Sequence, residues 1–240
     1  MTPTYAPPPI PRLIKTIQSP YDYRAWWHWL ERKGKQLYGA DFQLYEKDAS
    51  VILKLLIWCL QDKEKAKEHN IHLHKGIMLT GPRECGKTCL MNLMSHIPSA
   101  IQRYTPLPSG IQSSPPVIKA LSDYPRHRLK PCREIAAEYA RTGYDAIQRY
   151  TRQSFNLYTQ QPFTICFDDL GTESPAQYHK APYYNTMAVI LVSRYNYFLH
   201  NGMVTHIITN LNARELEEKY GKQIKNISRE MFNVIAFEKV

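Results

Sequence analysis

The spacing of apolar residues changes part-way along this chain, and the change divides it. From Tyr21 to Leu37 apolar positions recur at helix spacing, with Trp26, Trp27, Trp29 and Leu30 giving an apolar surface. Ser50 stands where an N-cap would begin a helix through Val51–Gln61. That segment is apolar nearly all round, which predicts burial, and a charged tail, Asp62–Glu68, follows it. Beyond it the pattern becomes short apolar runs separated by helices. Gly76–Thr80, Phe163–Phe167, Val204–Ile208 and Val234–Phe237 read as buried strands. Gly81–Thr88 reads as a loop, and Cys89–Met94 as the start of a helix. Further helices are predicted over Arg133–Tyr150 and over Asn185–Phe198, the latter stopping at the Asn201-Gly202 turn. Asn212 and Glu215 form a capping pair for a helix that ends at Tyr220-Gly221. Strands alternating with helices predict an α/β fold with a parallel sheet flanked by helices and a small helical N-terminal region.

Prolines punctuate the pattern twice. Six fall in residues 1–20 and predict an extended or mobile arm. Seven fall in 98–131 and predict a long loop of a kind that is often functional. The expected organisation is therefore an arm at 1–20, a helical region at 21–70 and an α/β core at 71–240, interrupted by the loop at about 98–131. With 240 residues, the chain is long enough for a sizeable core. No run approaches the ~18 apolar residues of a membrane span. The start of the chain lacks the basic-then-apolar plan of a signal peptide, so a cytoplasmic protein without membrane partners is expected.

The most specific motif is Gly81-Pro82-Arg83-Glu84-Cys85-Gly86-Lys87-Thr88, a complete GxxxxGK[ST] sequence. The glycines let successive backbone N–H groups turn towards phosphate oxygens, and the following helix, from Cys89, presents its positive end to the same anion. Lys87 is the candidate for the β and γ phosphates of ATP, and the Thr88 hydroxyl for Mg2+. Ile165-Cys166-Phe167-Asp168-Asp169 supplies the second element, an apolar strand ending in two carboxylates. Strands of such sheets carry ligand-binding residues at their carboxyl ends. Asp168 is the candidate to sit near Mg2+, and Asp169 to polarise an attacking water. The strand that ends at Thr209 delivers Asn210, a candidate to orient water or touch the γ-phosphate.

Three segments, GIMLTGPRECGKTCLMNLM, ICFDDLGTE and THIITNLNARELEEKYG, together resemble the DnaC/IstB group of AAA+ ATPases, which includes helicase loaders and transposition helpers. Arg32–Gly39, Ser193–Phe198 and Glu230–Phe237 extend the likeness to short DnaC-like ATPases of mobile elements and phages, so that it covers Glu31 to Phe237. The resemblance implies an AAA+-type P-loop NTPase that binds ATP or ADP between subunits of a homo-oligomer. It implies action on DNA with a helicase or transposase partner. Lys87, Thr88, Asp168 and Asp169 carry over, and Asn210 carries over as the sensor of the γ-phosphate. The usual arginines after the tyrosine-glycine are replaced by Gln223 and Ile227. Arg229, Lys225 or Arg194 are the candidates to replace an arginine finger, an element that matters by orders of magnitude in such sites. With those arginines missing, a nucleotide-gated adaptor that hydrolyses ATP little or not at all is the competing reading. A small-molecule kinase fits the DDLGTE and TNL segments poorly.

Net charge sharpens the partner question. Of the formal +10, residues 76–160 supply +6, from 11 basic and 5 acidic groups. Arg126, Arg128, Lys130, Arg133, Arg141, Arg149 and Arg152 are interleaved with Tyr124, Tyr139, Tyr144 and Tyr150, a composition suited to single-stranded DNA or simply to a solvated helix face. Tyr139 lies four residues from Ile135 and is equally a core candidate. The tryptophan helix is read as packing against the ATPase core, with partner docking as the alternative. The five cysteines show no CxxC pair and are expected to be reduced thiols with no metal role.

Overall fold

A computed structural model describes residues 10–15, 21–97, 126–175, 178 and 185–238. Five strands form one sheet in the order β2-β3-β4-β1-β5, all parallel. They are β1 (Gly76–Thr80), β2 (Arg128–Pro131), β3 (Ile165–Leu170), β4 (Thr205–Thr209) and β5 (Phe232–Ala236). The inner strands β1, β3 and β4 are buried almost throughout because helices cover both faces. Alternation along each strand then sorts side chains between two cores. Ile77, Leu79, Cys166, Ile208 and Ile235 face one cluster, and Met78, Phe167 and Ile207 the other.

The first cluster is closed by α2 (Tyr23–Tyr38), α3 (Ala49–Leu60) and α5 (Lys87–Met94). Trp27 and Leu30 are buried in it, with Trp26 and Trp29 packed at its margin, so the tryptophan helix packs on the core as expected. The second is closed by α6 (Cys132–Thr142), α7 (Tyr144–Tyr150), α8 (Thr186–Asn201), α9 (Ala213–Tyr220) and α10 (Lys222–Met231). Tyr139 is core there, on the Ile135 face of its helix.

Several boundaries differ from the sequence reading. Within the expected arm, Arg12–Lys15 forms a helical turn, α1, with Ile14 buried. The first long helix starts at Tyr23, because the Asp22 carboxylate accepts the N–H groups of Arg24 and Ala25, both at 3.0 Å. Ser50 is no cap. A 3-10 turn over Glu46–Asp48 leads straight into α3, which begins at Ala49. Asp62–Glu68 is no tail of that helix either. Gln61 turns left-handed, and Asp62 caps a separate α4 (Lys63–Glu68). The helix expected over Arg133–Tyr150 is two helices broken at Gly143, whose φ of 60° ends the first. A Cβ at Gly143 would also lie 2.8 Å from the Tyr178 ring. Of the proline-rich loop, residues 98–125 and with them Tyr124 lie outside the described residues. Its end, Arg128–Pro131, is the edge strand β2, where Pro131 is tolerated. No helix among the described residues is long and apolar enough to cross a membrane.

Candidate functional site

β1 delivers the glycine loop at its carboxyl end, and α5 starts at Lys87 immediately after it. Gly86 takes φ 86° and Gly81 φ 151°, conformations that let the chain double back between strand and helix. A Cβ on Gly86 would meet no atom within 4 Å, so the glycine is there for its backbone angle and the space above it is open. The buried Lys87 ammonium lies in the hollow of the loop. It donates to Gly81 O at 3.1 Å and to Pro82 O, and lies 3.5 Å from Cys85 Sγ.

β3 brings its two carboxylates alongside. The Thr88 hydroxyl donates to Asp168 Oδ1 at 3.0 Å, so the first turn of α5 and the end of β3 meet. Burial pushes the Asp168 carboxyl above its usual range and Asp169 adds to this, against the Thr88 hydrogen bond and the Lys87 charge. Asp169 sits at φ 55°, a strained angle for a residue with a side chain. Three bonds hold it there. Its N–H donates to Asp168 Oδ1, and its carbonyl accepts both the Thr172 N–H at 3.1 Å and the Thr172 hydroxyl at 2.8 Å. The next turn is tied to α9. Tyr220 donates to Glu173, whose other oxygen accepts the Gly171 N–H, and the Lys219 ammonium reaches the carbonyls of Gly171 and Glu173. Thr172, Glu173, Lys219 and Tyr220 were not singled out from sequence. Glu173 stands in the quoted DDLGTE run, but its partners on α9 lie more than 45 residues away.

Arg83, Glu84, Cys85, Gly86, Lys87, Thr88, Cys89, Asp169, Thr172 and Asn210 line one cleft of about 530 Å³. The Asn210 side-chain oxygen is buried without a hydrogen-bond partner among the described residues. A second pocket of about 420 Å³ adjoins it and shares Glu84, Cys85, Gly86 and Cys89. Its walls include Phe42, Leu44, Ile52, Pro82, Leu90 and Phe237. A hydroxyl and a carboxylate at the helix start are hard oxygen donors of the kind that suit Mg2+, and the loop above them is open to phosphate.

Three arginine-finger candidates separate. Arg229 is exposed on α10 and lines a neighbouring cleft with Asn210 rather than the phosphate cleft itself. Lys225 is paired with Glu217. Arg194, which as a finger would have to be exposed, is fully buried. Its guanidinium donates to the carbonyls of Tyr150, Phe163 and Val204 and to the hydroxyls of Thr205 and Ser154. Burial pushes its pKa down to about 9, and it cannot reach another subunit. Ile227 is core and Gln223 is exposed. All five cysteines are free, and no cluster of three or more metal-ligating side chains occurs among the described residues.

The parallel sheet, the glycine loop between β1 and α5, and the carboxylates that end β3 define an α/β P-loop NTPase fold. The chain matches no protein-family model and no curated protein. Among solved structures it is similar to the DnaC helicase loader, at 13% identity over 82% of this chain and 93% of that one, with a TM-score of 0.47. It is also similar to DnaI, at 14% identity over 86% of this chain and 94% of that one, with a TM-score of 0.48.

Proposed function

We propose that the chain is an ATPase of the AAA+ loader type, which binds Mg2+-ATP and recruits or remodels a helicase or transposase on DNA as a homo-oligomer. The observation that carries the nucleotide part is the contact of Thr88 with Asp168 across the mouth of the glycine loop, with Lys87, Asp169 and Asn210 beside it. The loader part rests on the motifs that resemble the DnaC/IstB group between Glu31 and Phe237. The two adjoining pockets suit a triphosphate at the loop and a base against Phe42 and Phe237.

In this reading Thr88 and Asp168 hold the metal, which when bound neutralises charge on the phosphates. Lys87 exchanges its carbonyl partners for the β and γ phosphates. Asp169, held at its strained angle, takes a proton from the attacking water, and Asn210 contacts the γ-phosphate through its unpaired side chain. Arg229 is the residue for a neighbouring subunit's site.

Phosphate release from Mg2+-ATP, with and without single-stranded DNA and across protein concentration, tests this. Wild type is expected to turn over slowly, faster with DNA and with concentration. Lys87→Ala should lose turnover, and Asp169→Asn should bind ATP but hydrolyse it about 100-fold more slowly. Equal release by wild type and Lys87→Ala would sink the proposal. The second reading, an adaptor gated by nucleotide, is favoured by the buried Ile227, which leaves no cation at that position. It predicts that wild type and Asp169→Asn bind ATP alike and are equally inactive with every activator.

A further inference from the structure

The basic residues of the middle section do not act as one face. Lys130 is paired with Glu134 at 2.9 Å and with Glu138 at 2.8 Å, and although burial opposes it these carboxylates raise its pKa. Arg149 is 3.9 Å from the same Glu138, which also accepts the Tyr150 hydroxyl. The charge of α6 and α7 is thus partly answered within the fold, and Tyr139 is buried.

Arg133, Arg141 and Arg152 are exposed without an ion pair among the described residues; Arg126 and Arg128 share this and differ in their place in the fold. They enter β2 at the amino-terminal edge of the sheet, at the opposite end of the strands from the glycine loop. Both are exposed, and neither makes an ion pair among the described residues. The Arg128 guanidinium lies over the Phe163 ring, its central carbon 4.6 Å from the ring centre, a contact that helps to hold it in place. They border a hollow of about 510 Å³ whose described lining holds His96 and His127 but no carboxylate. Burial lowers the His96 pKa, and the nearby Lys33 and Arg126 charges add to this.

The other wall of the hollow is a turn over residues 154–163, closed by the Phe155–Pro162 bridge. Asn156 Oδ1 accepts the N–H groups of Tyr158 at 2.9 Å and Thr159 at 3.0 Å, so the turn is set by its own bonds. At its tip Tyr158 is 96% exposed and Leu157 85% exposed. The turn thus carries an exposed aromatic ring next in sequence to Thr159, which lines the same hollow as Arg126 and Arg128, and among the described residues that ring is left almost bare.

We propose that this edge of the sheet is a binding surface for single-stranded nucleic acid, with Arg126 and Arg128 on backbone phosphates and Tyr158 stacked on a base. The inference rests on the proposed action on DNA and assigns it to a surface remote from the nucleotide. Cations that track phosphates beside an aromatic platform are what a single strand requires, and a preformed platform lowers the ordering cost. A duplex hides its base faces and offers Tyr158 no stacking partner.

The test is fluorescence anisotropy of a labelled 20-nucleotide oligodeoxythymidine with the full chain, over a salt series. Tyr158→Ala should weaken binding about tenfold at every salt concentration. Arg126→Gln with Arg128→Gln should weaken it and flatten the slope of log K against log salt by about 1.4, two phosphates' worth. Arg141→Gln on the α6 face should leave binding unchanged, and phosphate release without DNA should be unaffected in all variants. If wild type binds and only the α6 variant weakens it, this surface is wrong while the DNA reading survives. If wild type fails to bind at low salt, both fall, and the Lys87→Ala comparison judges the nucleotide site separately.

Discussion

A methyl group on Gly76 would sit 1.7 Å from the Thr205 carbonyl oxygen, inside the backbone of the neighbouring strand. No rotamer change can relieve a clash between two main chains, so β1 or β4 would have to shift. Gly76→Ala is expected to cost about 3 kcal/mol, read as a lowered urea midpoint. Gly202 closes α8 at φ 65° with no atom within 4 Å of its added Cβ, so Gly202→Ala should cost only about 1 kcal/mol. Equal costs would mean that the close approach at Gly76 is absent. Arg194 shows why single residues mislead from sequence. An arginine is exposed by default, and nothing local reveals that carbonyls 10, 31 and 44 residues away converge on it.

At the scale of elements, what the sequence disclosed follows from burial. β1, β3 and β4 are covered on both faces and read as apolar runs, though β3 and β4 each start later than expected. β2 was missed because an edge strand written Arg-Leu-Lys-Pro carries one apolar residue, and its pairing with β3 is invisible locally. The Asn212–Glu215 capping box was legible because it is local. The glycine loop and the two carboxylates were legible as motifs, whereas the tether of Glu173 to α9 needed the fold. Asp62 illustrates an element boundary set by distant packing. Its buried carboxylate accepts the Lys65 N–H at 3.1 Å, starting α4, and the Tyr23 hydroxyl at 2.9 Å, tying α4 to α2. Asp62→Ala should cost about 2 kcal/mol in chemical denaturation, and Tyr23→Phe about half that. An unchanged midpoint for Asp62→Ala would show that this junction is held by apolar packing alone.

For the whole molecule, two buried imidazoles govern the acid limb of stability. His206 accepts the Ile77 N–H at 3.0 Å and packs edge-on against His127 with ring centres 4.9 Å apart. Burial lowers the His127 pKa to about 4 and pushes His206 well below its ordinary value. Unfolded, each takes up a proton near pH 6.5. Between pH 6.5 and about 4 the unfolded chain therefore binds more protons, so stability falls as pH falls. The pair should remove about 3 kcal/mol between pH 7.5 and pH 5.5, seen as a drop in urea midpoint. The carboxyls of Asp168 and Glu31, raised by burial, act in the opposite sense and soften the slope. A flat midpoint from pH 7.5 to 5.5 would contradict the burial of both rings.

The position of β1 also sets a clock. It is the first of the five strands to be synthesised, yet its partners are β4 and β5, with Met78 beside Ile207 and Gly76 beside Phe232. At ~5–20 residues per second, a nascent chain waits on the order of 10 s between making β1 and making the strands that flank it. Through that interval Gly76–Thr80 is an apolar ribbon with both edges unpaired, and the glycine loop has no rigid base. The loop is thus completed too late for anything bound there to guide the early collapse, and a chaperone that shields a short apolar strand would have its longest opportunity here.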